Sequence, residues 1–327
     1  MTKGKILSGM RPTGRLHIGH LSVLENWKRL QDEYKCFFFS ADWHALTTSF
    51  EDTAGIKENT VEMVTDWLAS GLDPEKSVIF TQSDVKEHAE LHLLFSMFIP
   101  LSWLERVPTY KDQVHQFREQ GKDIMTYGFL GYPLLQAADI LIYRADAVPV
   151  GEDQLPHLEL CREVARRFNF MYSPIFPEPQ ALLSRISLLP GVDNRKMSKS
   201  YANDIGIFVE SDELKKRVNA MITDPARIRK SDQGHPEVCV VHKYHSIYSP
   251  DEISDIEEQC RQGGIGCVAC KKNLNVNLEG ALSPLREKRK ELVSRKGYVQ
   301  EVLAEGARKA GREASETMRM VREAMKI

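Results

Sequence analysis

The first eighty residues alternate between compact apolar runs and stretches with helical periodicity. Ile6-Leu7-Ser8-Gly9 is a short apolar run that ends at the turn Arg11-Pro12-Thr13-Gly14. From Leu16 the apolar positions recur at helical spacing through Leu21, Leu24, Trp27 and Leu30. Residues 36–41 form a continuous run of the buried-strand type. Residues 53–69 are amphipathic, with Ile56, Val61, Val64 and Leu68 on one face, and stop at Gly71-Leu72-Asp73-Pro74. Ser77-Val78-Ile79-Phe80 is a third strand. Strand–helix–strand–helix–strand predicts an α/β fold with a parallel sheet and right-handed crossovers. Such sheets bind ligands outside the carboxyl ends of their strands, where Arg11-Pro12-Thr13-Gly14 and Asp42-Trp43-His44 fall.

Past residue 210 the texture changes. Charged helical stretches at 211–221, 252–260 and 284–327 dominate, and strands are hard to find. The pattern predicts a Rossmann-like domain over 1–200, then a helical domain over 201–327 whose last helix packs back on the first. There is no internal repeat.

Composition narrows the class. The 327 residues are 42% hydrophobic and 28% charged, so the chain can bury a large core and is not of the disordered type. The net charge of −2 means that any RNA-binding surface must be a local basic patch. The longest apolar runs, such as Cys36-Phe37-Phe38-Phe39, are too short to span a bilayer. The N-terminal residues enter a strand at once, leaving no room for a signal peptide. The expectation is a cytoplasmic protein that meets no membrane, with its six cysteines reduced or metal-bound. GxGxxG and GxxxxGK[ST] are both missing, which excludes the common dinucleotide and P-loop phosphate sites.

Two short segments carry chemistry. Leu16-His17-Ile18-Gly19-His20 lies where the first strand should turn into a helix, and Lys196-Met197-Ser198-Lys199-Ser200 lies some 180 residues later in a polar stretch. A helix N-terminus offers unpaired N–H groups to phosphate, and imidazoles can donate hydrogen bonds to phosphoryl oxygens. Two lysines can bring cations to a pyrophosphate that gains charge as it leaves. In this order the pair resembles the two ATP-binding motifs of class I aminoacyl-tRNA synthetases. Further segments match: residues 8–20, Ala41-Asp42-Trp43-His44-Ala45, residues 132–141, and Val148-Pro149-Val150-Gly151-Glu152-Asp153-Gln154. With these the chain resembles the tryptophanyl-tRNA synthetase family nearly end to end.

That resemblance implies a homodimeric ligase that makes tryptophanyl-adenylate from L-tryptophan and ATP, then charges tRNA(Trp). It implies catalytic roles for His17, His20, Lys196 and Lys199. It implies ATP binding by Arg11, Pro12, Thr13, Gly19, His20, Gly151, Glu152, Asp153, Lys196, Met197, Ser198, Lys199 and Ser200. Mg2+ is expected, because the triphosphate charge must be neutralised. His20 stands where bacterial relatives often carry Asn, which also donates to phosphate.

Tyr132, Gln136 and Asp139 fall at i, i+4 and i+7, so they share one face of a helix. The resemblance makes Asp139 the acceptor of the indole N–H, with Tyr132, Gln136, Gln154 and His44 around the tryptophan. Gln136 replaces a Met common in the family and also resembles tyrosyl-tRNA synthetase. A tyrosine–tRNA ligase is therefore one rival reading. Another is a catalytically silent, synthetase-like metal or redox sensor.

Cys239, Cys260, Cys267 and Cys270 form a C-x20-C-x6-C-x2-C set. The last two sit in what reads as a turn-rich loop, and four thiolates with a CxxC suit either zinc or a 4Fe–4S cluster. The resemblance to a cysteine-bearing subset of the family implies the cluster. Lys271, Lys272, Arg286, Lys288, Arg289 and Lys290 are candidates for a phosphate-binding stripe beside it.

Overall fold

The computed structural model describes residues 2–119, 123–183 and 189–327, without the side chains at 109, 112, 113, 115, 116 and 200. Its sheet has five parallel strands in the order β3-β2-β1-β4-β5. They are β1 (Lys5–Met10), β2 (Lys35–Ser40), β3 (Ser77–Thr81), β4 (Ala147–Val150) and β5 (Gln180–Leu183). The expected Rossmann-like α/β class is what the chain adopts. Strand order reverses between β1 and β4, whose carboxyl ends lead into Arg11 and Gly151. A doubly wound sheet opens its ligand crevice at such a switch point.

The helices are α1 (Leu21–Leu30), α2 (Asp42–Ser49), α3 (Ile56–Ala69), α4 (Glu87–Ser96), α5 (Leu101–Glu105), α6 (Pro108–Glu119), α7 (Tyr127–Ile142) and α8 (Leu155–Met171). The later ones are α9 (Ser211–Ala220), α10 (Val240–Tyr248), α11 (Ile253–Arg261), α12 (Cys267–Ser294) and α13 (Tyr298–Met325). The chain divides into two compact units. The first comprises Met1–Gly14, Glu25–Ile186 and Lys296–Ile327, and the second Arg15–Leu24 and Ser187–Arg295. Compared with the expected division at residue 200, this places the lysine segment in the second unit and the closing helix in the first.

The physical reason for the last assignment is a helix without bulk on one face. Ala310, Ala314, Met318 and Val321 of α13 are fully buried in the same apolar cluster as Leu7, Phe37 and Phe80. Gly306 lies against β3 so closely that a Cβ there would sit 1.7 Å from the Ile79 carbonyl oxygen. Only glycine permits that approach. The rest of the first unit's core is aromatic. Trp27 stacks on Phe38 at 4.5 Å and meets Trp67 edge-on, and all three are buried. Burying each such side chain is worth about 1.5–3 kcal/mol. A core of this kind makes a stiff platform for the polar residues that α2, α4 and α7 project.

The helical stretch expected over 284–327 is two helices. α12 runs through Pro284 and ends at Ser294, and Gly297 with φ 81° turns the chain into α13. Proline is tolerated inside α12 because the carbonyl that loses its donor belongs to exposed Gly280, where water can replace it. Among the described residues no helix is long and apolar enough to cross a membrane.

Candidate active site

The first unit gathers polar side chains around one buried carboxylate. Thr126 caps α7 by accepting a hydrogen bond from the Phe129 N–H at 3.1 Å. Asp139 lies on this helix and is 1% exposed. Its Oδ1 accepts from Gln82 Nε2 at 2.7 Å and lies 2.7 Å from His88 Nδ1. Its Oδ2 lies 2.8 Å from His44 Nε2. Burial pushes the Asp139 carboxyl up, but the bonds from His44 and His88 outweigh it and hold it down to about 2. These bonds favour the ionised form of Asp139, which then acts as a hydrogen-bond acceptor.

Tyr132 and Gln136 lie half-buried on the same helix, as their spacing predicts. The Tyr132 hydroxyl is 3.0 Å from His157 Nε2, and burial lowers His157 to about 4. Gly151 begins a 3-10 turn, Glu152–Gln154, at the carboxyl end of β4. Glu152 and Asp153 are exposed, while Gln154 is half-buried and donates to Asp153 Oδ2 at 3.0 Å. Arg11, Pro12 and Thr13 follow β1, with the Arg11 guanidinium donating to Thr48 Oγ1 and Pro12 buried.

The second unit brings the two sequence-distant motifs together. The helix expected from Leu16 starts as a 3-10 turn, Ile18–His20, before α1. The Ile18 N–H donates to the Ile205 carbonyl at 2.8 Å, and the Ile207 N–H to the Leu16 carbonyl at 3.1 Å. The His17 and His20 rings lie 3.8 Å apart between centroids. A Cβ at Gly19 would come 2.9 Å from His17 Nδ1 and 3.5 Å from Met197 Sδ, so glycine lets the imidazole and the lysine segment close over the turn. Burial and the nearby Lys199 cation lower His17 to about 4. Burial and the His17 ring do the same to His20. Both rings are therefore neutral near pH 7 and can donate through one N–H each.

Met197 anchors the lysine segment, because it is buried while Lys196 and Lys199 on either side are exposed. Asn203 fixes the loop's shape. Its Oδ1 accepts from the Ser198 N–H at 2.8 Å, and its Nδ2 donates to Asp193 Oδ1 at 2.8 Å and to the Lys196 carbonyl at 3.2 Å. Ser200 falls in the 3-10 turn Lys199–Tyr201, and its side chain lies outside the described part. Sequence reasoning missed Asn203, Gln82, His88 and Tyr143. His88 stands among glutamates in Glu87-His88-Ala89-Glu90-Leu91 and reads as a surface position, so the sequence carried no signal for its burial.

The four clustered cysteines also lie in the second unit. Cys239 caps α10, Cys260 is in α11, and Cys267 and Cys270 form the first turn of α12. The expected loop is thus helical at its last two cysteines, where the segment after Gly266 continues as helix. The thiols sense one another. Burial pushes Cys270 up to about 12, with Cys239, Cys260 and Cys267 adding to the effect. Cys260 is raised by burial and by Cys239 and Cys267, against Arg227. Among the described residues no three His, Cys, Asp or Glu side chains stand at the spacing of a metal site. Arg286 departs from the expected phosphate stripe. It is 5% exposed and donates to the Val209 carbonyl at 3.0 Å, so it serves the interior of its unit.

Comparisons with known proteins agree with one another. A family model described as tRNA synthetases class I (W and Y) matches residues 2–283. The Tryptophan--tRNA ligase of Thermotoga maritima is 54% identical over 327 residues, covering 99% of each chain. That of Aquifex aeolicus is 46% identical, covering 99% of this chain and all of its own length. The fold resembles the tryptophanyl-tRNA synthetase of Campylobacter jejuni, solved with ADP and tryptophan, at a TM-score of 0.88 and 34% identity over 99% of this chain and 100% of that one. A tyrosyl-tRNA synthetase of Archaeoglobus fulgidus shares the fold at a TM-score of 0.68 and 19% identity, covering 88% of this chain and 90% of that one. The chain belongs to the tryptophanyl-tRNA synthetases, a class I family.

Proposed function

We propose that this chain is a tryptophan–tRNA ligase. It activates L-tryptophan with ATP to tryptophanyl-AMP and pyrophosphate, then transfers the acyl group to tRNA(Trp). The observation that carries the choice of tryptophan is Asp139, a buried, ionised acceptor on α7 beside Tyr132 and Gln136. A pocket that pairs an N–H rejects ligands lacking it, because the unpaired buried acceptor costs about 1–3 kcal/mol. Tyr132, Gln136, His44 and Gln154 complete the amino acid's surroundings, and Gly151, Glu152 and Asp153 serve the nucleotide.

His17 and His20 donate to phosphoryl oxygens as neutral rings. Lys196 and Lys199 meet charge that develops on the pyrophosphate, and the exposed ends of both lysines suit a ligand that arrives from solvent. Mg2+, when bound with ATP, neutralises the triphosphate. The exposed apolar residues Leu93, Met97, Leu101 and Met125 support a homodimer. The helical domain over 201–327, whose last helix α13 falls in the first unit, is read as the anticodon-binding part, as the family resemblance implies.

The cysteine set is read as a site for a 4Fe–4S cluster. Four thiols within electrostatic reach of one another, held at helix ends, suit a cluster that spreads its ligands over four irons. Its test is anaerobic preparation of the protein. Brown protein with about four irons per chain supports it, and colourless protein with stoichiometric zinc replaces it.

ATP–pyrophosphate exchange with each amino acid tests the main reading. Exchange supported by tryptophan is the expected result. Exchange supported by tyrosine instead would transfer the chain to the rival specificity, and exchange with neither would leave the silent sensor.

A further inference from the structure

Asp139 is held by partners that are themselves held. His88 is fully buried in the first turn of α4, and its two ring nitrogens have different partners. Nδ1 lies 2.7 Å from Asp139 Oδ1, and Nε2 lies 2.7 Å from the Tyr143 hydroxyl. Tyr143 follows Asp139 by one helical turn, at the end of α7, and is likewise fully buried. Phe37 stacks on its ring at 4.6 Å, and Phe39 and Phe80 flank the His88 ring at 6.1 and 6.0 Å. The walls around the imidazole are thus apolar on several sides.

Donor counting fixes the protons. Burial raises the Tyr143 hydroxyl well above its ordinary range, so it keeps its proton. The hydroxyl has His88 Nε2 as its acceptor, which leaves the His88 proton on Nδ1, pointing at Asp139. A chain of two hydrogen bonds therefore runs from Tyr143 through His88 to Oδ1. Gln82 adds a second donor to the same oxygen. Oδ2 is left to face His44, which retains some exposure. The carboxylate cannot rotate without breaking bonds in an apolar surrounding, where unmade bonds are costly.

We propose that His88 and Tyr143 are positioning residues that lock the Asp139 carboxylate for the indole N–H, and that they set the enzyme's discrimination at that single atom. This inference rests on the reading of Asp139 given above. His88 and Tyr143 touch no substrate in this scheme and act through Asp139 alone. Their loss is therefore felt by a ligand that carries the N–H and not by one of the same shape that lacks it.

The experiment compares tryptophan with β-(3-benzothienyl)alanine, in which sulfur replaces the indole N–H, by pyrophosphate exchange. The variants are Asp139→Asn, His88→Leu, His88→Asn and Tyr143→Phe. Losing one buried hydrogen-bond donor predicts that His88→Leu raises KM for tryptophan about tenfold, with kcat and the analogue's KM within about twofold. His88→Asn keeps an N–H near the place of Nδ1 and should recover most of the loss. Tyr143→Phe keeps the ring packed on Phe37 and should raise the tryptophan KM about threefold while sparing the analogue. Should His88→Leu fail to fold, Tyr143→Phe decides alone.

Equal losses for both ligands would make His88 a packing residue and overturn the proposal, as would an unaltered tryptophan KM in Tyr143→Phe. If Asp139→Asn narrows the preference for tryptophan over the analogue but the His88 and Tyr143 variants do not, the positioning relay alone is refuted. If Asp139→Asn leaves that preference untouched, the reading of Asp139 itself fails.

Discussion

The two units hold their proposed functional groups by opposite means. In the first, Asp139 is fixed by burial: three side-chain partners and an aromatic core give it one orientation. In the second, Lys196 and Lys199 are exposed, and the backbone between them is fixed by buried Met197 and by Asn203. The difference follows from the task. A group that recognises a fixed feature gains from being immobile before the ligand arrives. A group that meets charge as it forms needs reach, which a long stem on an anchored loop supplies.

This contrast can be broken at several points. The largest effect is expected at the exposed cations. Lys199→Ala should lower the rate of tryptophan activation about 10²- to 10³-fold, the range seen when a donor to developing charge is removed. Tryptophan binding, measured without ATP, should stay unchanged. Loss of ATP affinity with full turnover at saturation would place the lysine in ground-state binding instead.

The first unit should be sensitive to volume rather than charge. Gly306→Ala forces a methyl group into the Ile79 backbone, so α13 must lift from β3. Overpacking of this kind costs about 3 kcal/mol, and thermal unfolding followed by calorimetry should read it as a lower Tm. An unshifted Tm would mean that α13 adjusts freely and that the first unit is less stiff than described.

Cys267→Ser separates the steps. It should weaken aminoacylation of tRNA about tenfold, because the proposed cluster would lose one of its four ligands. Adenylate formation should stay near normal. Equal loss of both activities, assayed side by side, would remove the proposed division of labour.

The smallest effect concerns acid. His20 has its value lowered to about 4 by burial and the His17 ring, against an ordinary 6.5. Between those values the unfolded chain binds a proton that the folded chain does not, so this group lowers stability as pH falls from about 6.5 towards 4. His20→Asn removes the titration and keeps a donor for phosphate. Its Tm should fall less than that of the unaltered chain between pH 7 and 4.5, with activation nearly unchanged at pH 7. A parallel fall would show that His20 is not desolvated in the fold.

Much of this organisation is legible in the sequence, for identifiable reasons. β2 announces itself because a strand buried on both faces reads as an unbroken apolar run, and β1 and β3 each carry a shorter one. Residues 16–20 and 196–200 stand out because their chemistry is local, one short segment each. β5 escaped because Gln180-Ala181-Leu182-Leu183 is an edge strand only partly buried, without the composition of a core strand. Asn203, Gln82 and His88 escaped because their roles are made by partners far along the chain. Asn203 reads as an ordinary polar loop residue until its side chain is seen bonding Ser198, Asp193 and Lys196. Arg286 misled for the same reason, since charge in a helix suggests solvent until the Val209 carbonyl, 77 residues away, claims it. The Asp139 face of α7 was predictable from spacing, while the closure of that carboxylate by α4 and by the turn Gln82–Asp84 was not.

The return of α13 to the first unit also has a consequence for biosynthesis. The ribosome makes the sheet first, then residues 187–295 of the second unit, and only then the helix that covers β3. Until residues 298–325 emerge, the apolar flank that receives Ala310, Ala314, Met318 and Val321 remains bare. The earliest part of the chain to be made is thus among the last to be sealed. A nascent chain stalled before α13 carries an open sheet flank into a crowded cell, a surface suited to chaperone capture or aggregation. Insertion of α13 is therefore the step that closes this flank of the sheet.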